Sequence, residues 1–290
     1  MLTEDSGYAT LYEFTETLSY FAGSHLCIHD VSGILHGSEL YLPVENQIHS
    51  KAFCSLAKST EKGYRLCLSC KMRANRKGIR TGELFQGHCP YGLYEIVKPV
   101  VIQGKTHCLI YLGNLLYQPE EARRRLSHTC MKTGVPENQL LPLLDKAEPI
   151  LSPEPYIRLA YIVESYLRFL FPRNQNKKEI SRNHWAVERL QTYIDTNFYQ
   201  NFTLQDVAKL YFINEKYIGR LFREQMGCTF HDYLNRKRLE EAQKQLQETS
   251  KSVLEIASAA GYQNVSYFNR VFYAAYRMTP TQYRQRGILK

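Results

Sequence analysis

Residues 257–284 read ASAAGYQNVSYFNRVFYAAYRMTPTQYR, and this stretch decides the fold of the C-terminal part of the chain. Gly261 follows a short apolar face of Ile256, Ala257 and Ala260 and suits the left-handed residue that ends a helix. Three residues on, Asn264 is a good N-cap for a second helix. In that helix Phe268, Val271, Phe272 and Ala275 fall at i, i+3, i+4 and i+7, which predicts one buried stripe. Ser266, Asn269, Arg270 and Tyr273 lie off the stripe. Two short helices about a tight turn, the second with a polar and cationic outer face, are the expected unit.

The unit occurs twice. Setting residues 214–233 against 264–283 pairs identical residues at Asn214/Asn264, Tyr217/Tyr267, Arg220/Arg270, Phe222/Phe272, Thr229/Thr279 and Tyr233/Tyr283. Each copy opens with a capping pattern, Thr203-x-x-Asp206 in the first and Ser252-x-x-Glu255 in the second. The outward set of the first copy is Lys216, Gly219, Arg220 and Arg223. Between the copies, Asp232 to Glu248 has no Gly or Pro and reads as one continuous helix. A helix of ~16 residues is ~24 Å long, a rigid spacer suited to major grooves that recur about every 34 Å.

Charge supports the same reading. The chain has 290 residues and a formal charge of +9, but residues 1–176 hold 19 basic and 17 acidic side chains against 18 and 11 in residues 177–290. The C-terminal part therefore carries +7 of the excess, as a polyanion-binding domain would. In a major groove Arg pairs bidentately with guanine, Asn pairs with adenine, and helix N-termini meet phosphates. The DNA-contacting candidates are Lys216, Gly219, Arg220, Arg223, Asn264, Ser266, Asn269 and Arg270.

Together with YIGRLFREQMGCTFHDYLNRKRLEEAQKQL (217–246), these motifs resemble the double helix-turn-helix domain of AraC/XylS-type transcription regulators over about residues 185–287. The resemblance rests on the A-x-x-x-G-Y turn at Ala257 to Tyr262, the S-Y-F-x-R-x-F helix and the T-P-x-x-Y-R ending. It implies that residues 214–226 and 264–276 are recognition helices entering adjacent major-groove segments. Arg277 stands where that family usually has Gly before M-T-P.

The first half reads differently. Leu11 to Phe21, Asn46 to Ala57 and Tyr64 to Lys77 have helical character. Glu95 to Ile102 and Lys105 to Leu112 predict two strands about the Gln103-Gly104 turn, with Leu26 to Ile28 and Ile34 to Leu42 as further strands. Pro155 to Leu170 is an apolar helix, and the run from Pro172 to residue 184 is polar and reads as a linker. The expected organisation is α+β: a mixed α/β sensor domain over residues 1–171, a linker over 172–184 and an all-α double helix-turn-helix domain over 185–290. The 155–170 helix either closes the N-terminal core or makes a homodimer.

Seven of the eight cysteines, Cys27, Cys54, Cys67, Cys70, Cys89, Cys108 and Cys130, lie in the first 130 residues. No secretory leader and no run of ~20 apolar residues is present, so a cytoplasmic protein with free thiols and no membrane contact is expected. Cys67-L-S-Cys70 has the C-x-x-C spacing of zinc and redox sites, making Cys54, Cys67, Cys70 and Cys89 metal candidates. The second pair of a zinc ribbon is missing, and small buried thiols explain the same pattern.

Phe53-Cys54, G-Y-R-L-Cys67, G-H-Cys89-P-Y-Gly92-Leu93-Y-E, K-P-V-V-I-x-G and Leu112-Gly113-Asn114 also resemble the PocR-type sensory domain, over roughly residues 15–145. Pro90 and Asn114 depart from its usual residues. The resemblance implies a PAS-like fold and a small effector such as a diol, with Cys54, Cys67, Cys89, Tyr91 and Gly92 lining or supporting the pocket. The expected function is a non-enzymatic, effector-controlled regulator that binds double-stranded DNA as a homodimer, contacting RNA polymerase if it activates. The alternative is a metal- or redox-sensing regulator. No hydrolase, metalloprotease, P-loop or dinucleotide fingerprint points to an enzyme.

Overall fold

The structure is a computed structural model, described here for residues 8–35, 39–43, 46, 47, 49, 51–174 and 182–288. The chain divides into two compact units, Met1–Arg182 with Leu210–Phe212, and Asn183–Lys209 with Ile213–Lys290.

The first unit opens with α1 (Leu11–Ala22), whose Thr10 and Glu13 form a reciprocal capping box. Next come β1 (His25–Asp30), α2 (Ala52–Ala57), α3 (Glu61–Thr81), β2 (Phe85–His88), β3 (Tyr94–Ile102) and β4 (Lys105–Leu116). They are followed by α4 (Pro119–Thr133), α5 (Glu137–Leu144), β5 (Glu148–Pro149) and α6 (Glu154–Asn174). The sheet has the order β1-β4-β3-β2, antiparallel throughout, with β5 parallel to β4. Gln103 and Gly104 both take positive φ (51° and 74°), as a two-residue hairpin twisted to match its strands requires.

Alternation along the strands gives the sheet two differently used faces. Leu26, Ile28, Ile96, Val100, Cys108, Ile110 and Leu112 join Leu11 of α1 and Ala160, Val163, Leu167 and Leu170 of α6 in one core. Cys27, Val97, Leu109 and Tyr111 point to the other face, where Ala74 of α3 packs. Lys98 on β3 and Glu164 on α6 form a buried ion pair of 2.7 Å that fixes α6 to the first face.

Three expectations are corrected. Ile34 to Leu42 is not a strand among its described residues. The buried carboxylate of Asp30 accepts the backbone N–H groups of Ser32, Gly33, Ile34 and Leu35 at 2.7–3.2 Å, so the chain leaves β1 in a tight turn and offers no ladder. The second predicted helix begins only at Ala52; Asn46 and Gln47 lie outside it. Both ends of the expected 172–184 linker are helical: α6 continues through Pro172 to Asn174, and the next helix starts at Arg182. Residues 175–181 lie outside the described residues.

The second unit is all helical: α7 (Arg182–Asn197), α8 (Leu204–Leu210), α9 (Glu215–Met226), α10 (Phe230–Glu248), α11 (Val253–Ala259), α12 (Val265–Tyr276) and α13 (Pro280–Ile288). The repeat persists in its contacts. Asn214 and Asn264 each cap by accepting the N–H three residues on, at 3.0 Å in both copies. Phe222 meets Tyr233 edge-on at 5.5 Å, and Phe272 meets Tyr283 at 5.6 Å. The α12 stripe differs from expectation at one point: Phe268 and Phe272 are buried and Val271 half-buried, but Ala275 is exposed and Tyr276 takes its place against the core.

Candidate functional site

The second unit presents α9 and α12 as matched helices. Lys216, Arg220 and Arg223 on α9 and Ser266, Asn269 and Arg270 on α12 are all exposed. Gly219 is half-buried and turns inward; a Cβ there would lie 3.1 Å from Leu204 Cδ2, so the glycine lets α8 and α9 approach. Asn264 has its side-chain oxygen committed to the cap.

Sequence reasoning missed the tyrosines beside the arginines. Arg220 lies 5.7 Å from the Tyr217 ring centroid and Arg270 lies 5.3 Å from that of Tyr267. Both pairs are i, i+3, and the shared offset between copies was the available signal. A guanidinium resting on a ring keeps its N–H edge free while losing less conformational freedom on binding. Arg220 also faces Glu224 at 3.6 Å, an exposed contact that competing phosphate would displace.

In the first unit, Cys67, Cys70, Lys71 and Ala74 fall at i, i+3, i+4 and i+7 of α3 and face a cavity of about 70 Å³. Phe53, Cys54 and Ala57 of α2, the Cys89–Leu93 turn, Glu95 of β3, Tyr111 of β4 and His49 complete its wall. Cys54, Cys67, Cys89 and Tyr91 are therefore brought together as expected of a pocket. Gly92 supports the wall from behind: its φ is +94° and a Cβ would sit 2.2 Å from the Ala122 carbonyl oxygen.

Burial pushes the thiols up, Cys54 to about 11 and Cys67 to about 12, with Cys89 well above and Cys70 above the ordinary thiol value. Burial thus favours the thiol over the thiolate that nucleophilic chemistry needs. Among the described residues no group of three or more His, Cys, Asp or Glu is placed to hold a metal ion. Cys54, Cys67, Cys70 and Cys89 all line the cavity. Tyr91 donates its hydroxyl to Thr133 Oγ1 at 2.9 Å and is likewise a wall group.

His49, Lys71, Glu95 and Tyr111 were not singled out from the sequence. Lys71 Nζ stands 3.3 Å from His49 Nε2, and His49 Nδ1 stands 3.2 Å from Glu95 Oε1. Lys71 also sits 3.1 Å above the Tyr111 ring. Burial pushes the Lys71 ammonium down, the Glu95 carboxyl up and the His49 imidazole well down.

Two similar helix-turn-helix units joined by α10, preceded by a mixed α/β domain with an internal pocket, define the class as a DNA-binding transcription regulator with an attached sensory domain. Comparison with known proteins gives the family. Residues 10–172 match the sensory domain found in PocR, and residues 207–286 match a helix-turn-helix domain of the AraC type. The regulatory protein PocR of Salmonella typhimurium is 34% identical over 271 residues, covering 87% of this chain and 86% of its own. The transcriptional activator RhaR of Mannheimia succiniciproducens is 27% identical over 62% of this chain and 70% of its own. The uncharacterised regulator YijO of Escherichia coli is 32% identical over 36% of this chain, which spans only 37% of that protein. The chain belongs to the AraC-type regulators that carry a PocR sensory domain.

No helix among the described residues is long and apolar enough to cross a membrane.

Proposed function

We propose that the protein is an effector-controlled transcription activator, in which residues 1–171 bind a small molecule and residues 185–290 bind operator DNA. The observation that carries this reading is the convergence of Cys54, Cys67, Cys89 and Tyr91 on one cavity inside the sensory domain. The cavity is about half the ~150 Å³ that takes a benzene-sized guest, so the effector has no more than about six non-hydrogen atoms. A short diol fits that size. Lys216, Arg220, Arg223, Ser266, Asn269 and Arg270 contact DNA, with Tyr217 and Tyr267 bracing the two paired arginines.

The active form is a homodimer built through α6. Leu151, just before α6, and Tyr161 and Ile162 on α6 are 100%, 50% and 52% exposed. An open apolar groove of about 580 Å³ runs there between Ala22 and Ile162. The partners are thus DNA, a second copy and, for activation, RNA polymerase; no catalytic step is required, and the protein works in the cytoplasm.

The test is a fluorescence-anisotropy titration of the full chain on duplexes selected from a random pool, with and without short diols, together with sedimentation to give the oligomer. Diol-dependent DNA affinity is expected. A chain that melts cooperatively and binds DNA, yet ignores every small neutral molecule offered, sinks the effector reading and leaves the DNA reading intact.

A further inference from the structure

The pocket's thiols explain its apolar lining but not how it would choose among molecules of one size. That choice requires polar groups that are partly withdrawn from water and already committed in direction. The Lys71, His49 and Glu95 side chains meet this description. As an ammonium, Lys71 donates to His49 Nε2 at 3.3 Å; the imidazole then carries its proton on Nδ1 and donates it to Glu95 at 3.2 Å. Lys71 of α3, Glu95 of β3 and His49 before α2 all line this cavity.

The chain of three groups sums to zero charge: a cation at one end, a neutral ring, an anion at the other. A second small cavity, lined by His25, Lys51 and Asn114, shares His49 and Glu95 with the first. The wall of the larger cavity carries one Lys and one Glu, Lys71 and Glu95, so a carboxylate or ammonium on the ligand would add a charge that this pair does not balance. A neutral diol has no such penalty, since one of its hydroxyls can accept from Lys71 while the other donates to Glu95.

Resting on the pocket reading above, we propose that Lys71, His49 and Glu95 are the recognition element of the cavity and select a short, electrically neutral, hydroxyl-bearing molecule against the acid and the amine of the same skeleton. The selection is set by charge balance, so it inverts when either end is neutralised. Glu95→Gln leaves a net cation and turns the pocket toward acids; Lys71→Met leaves a net anion and turns it toward amines.

The experiment is calorimetric titration of the full chain with propylene glycol, lactate and isopropanolamine, which share a three-carbon hydroxylated frame and differ in charge. Wild type should bind the glycol at least ~10-fold more tightly than the other two, the scale of one charge-assisted contact. Lactate should overtake isopropanolamine in Glu95→Gln, and the reverse should hold in Lys71→Met. Equal binding of all three by wild type, or an order unmoved in both variants, overturns the inference. The pocket reading then still stands if Cys54→Phe, which fills the cavity, abolishes binding. Binding of none of the three by a cooperatively melting wild type overturns both. Should either charge variant fail to fold, the wild-type order decides alone.

Discussion

Arg270 and Arg277 show how differently two arginines seven residues apart can matter. Arg270 lies over the exposed Tyr267 ring, 5.3 Å from its centroid, and a guanidinium held so is suited to bidentate contact with a base. Arg270→Ala should cost ~1–3 kcal/mol of binding and relax specificity at one base step, read by competition with singly substituted duplexes. Arg277 ends α12 with φ 56°, where the first copy has Gly227 at φ 69°. A side chain in the left-handed region costs ~1–2 kcal/mol, so Arg277→Gly should stabilise the domain by about 0.5–1 kcal/mol once glycine's greater freedom in the unfolded chain is set against the relief. A rise in the urea midpoint without loss of DNA affinity checks this. The sequence made the departure at 277 visible, and the structure supplies its conformational meaning.

The Cys67 thiol adds a pH dependence at the same scale. Folding raises it to about 12 from its ordinary value near 9. The unfolded chain therefore releases this proton first as pH rises, so the thiol's contribution is complete below pH ~9 and disappears as pH climbs toward ~12. Cys67→Ala should flatten the alkaline side of a melting-temperature profile, and wild-type Cys67 should resist iodoacetamide at neutral pH until the chain is unfolded.

Among the elements, α10 does more than keep two units apart. Its Arg238 donates from Nε to the Phe198 carbonyl at 2.7 Å and from Nη2 to the Gln200 carbonyl at 2.9 Å, and it lies 5.6 Å from the Tyr262 ring. Gly261 allows the same approach: a Cβ there would be 2.9 Å from the Phe198 oxygen and from Tyr199 backbone atoms. The end of α7, the middle of α10 and the turn before α12 are thus pinned at one joint. Arg238→Met keeps the apolar stem and removes both donors, which should destabilise the helical domain by ~2–3 kcal/mol in calorimetry. Affinity for a duplex spanning both recognition helices should fall even at temperatures where the variant is folded.

These elements also mark where sequence patterns suffice. The helices of the second unit were legible because caps, stripes and an internal repeat all pointed to the same boundaries. Ile34 to Leu42 misled because its apolar residues alternate as a strand's do, while one carboxylate, Asp30, claims the N–H groups a ladder would need. The pocket's four thiols lay within motifs, as did Glu95 at the end of G-H-Cys89-P-Y-Gly92-Leu93-Y-E. Lys71 and Tyr111 did not, because α3 and β4 bring them to the cavity only through the sheet pairing and helix packing of the folded domain.

At the scale of the whole molecule, the uneven charge and the uneven cysteines describe a division of labour between an output domain and an input domain. If an effector in the pocket changes the affinity for operator DNA by some factor, linkage requires the DNA to change affinity for the effector by the same factor. The prediction is quantitative whatever the operator or the sign of regulation. The ratio of operator Kd values with and without saturating glycol, from anisotropy, should equal the ratio of glycol Kd values with and without saturating operator, from calorimetry. Both measurements must share one ionic strength, because neutralising about four phosphates already changes DNA affinity ~100-fold between ~50 and ~200 mM salt. Since the sensory half is nearly charge-balanced, salt should move the DNA affinity steeply and the glycol affinity of the free protein hardly at all. Unequal ratios would mean that glycol and operator act on different molecular species, such as a monomer and a dimer. The same titrations repeated across protein concentration would reveal that, because a coupling that includes assembly depends on concentration and one confined to a fixed oligomer does not.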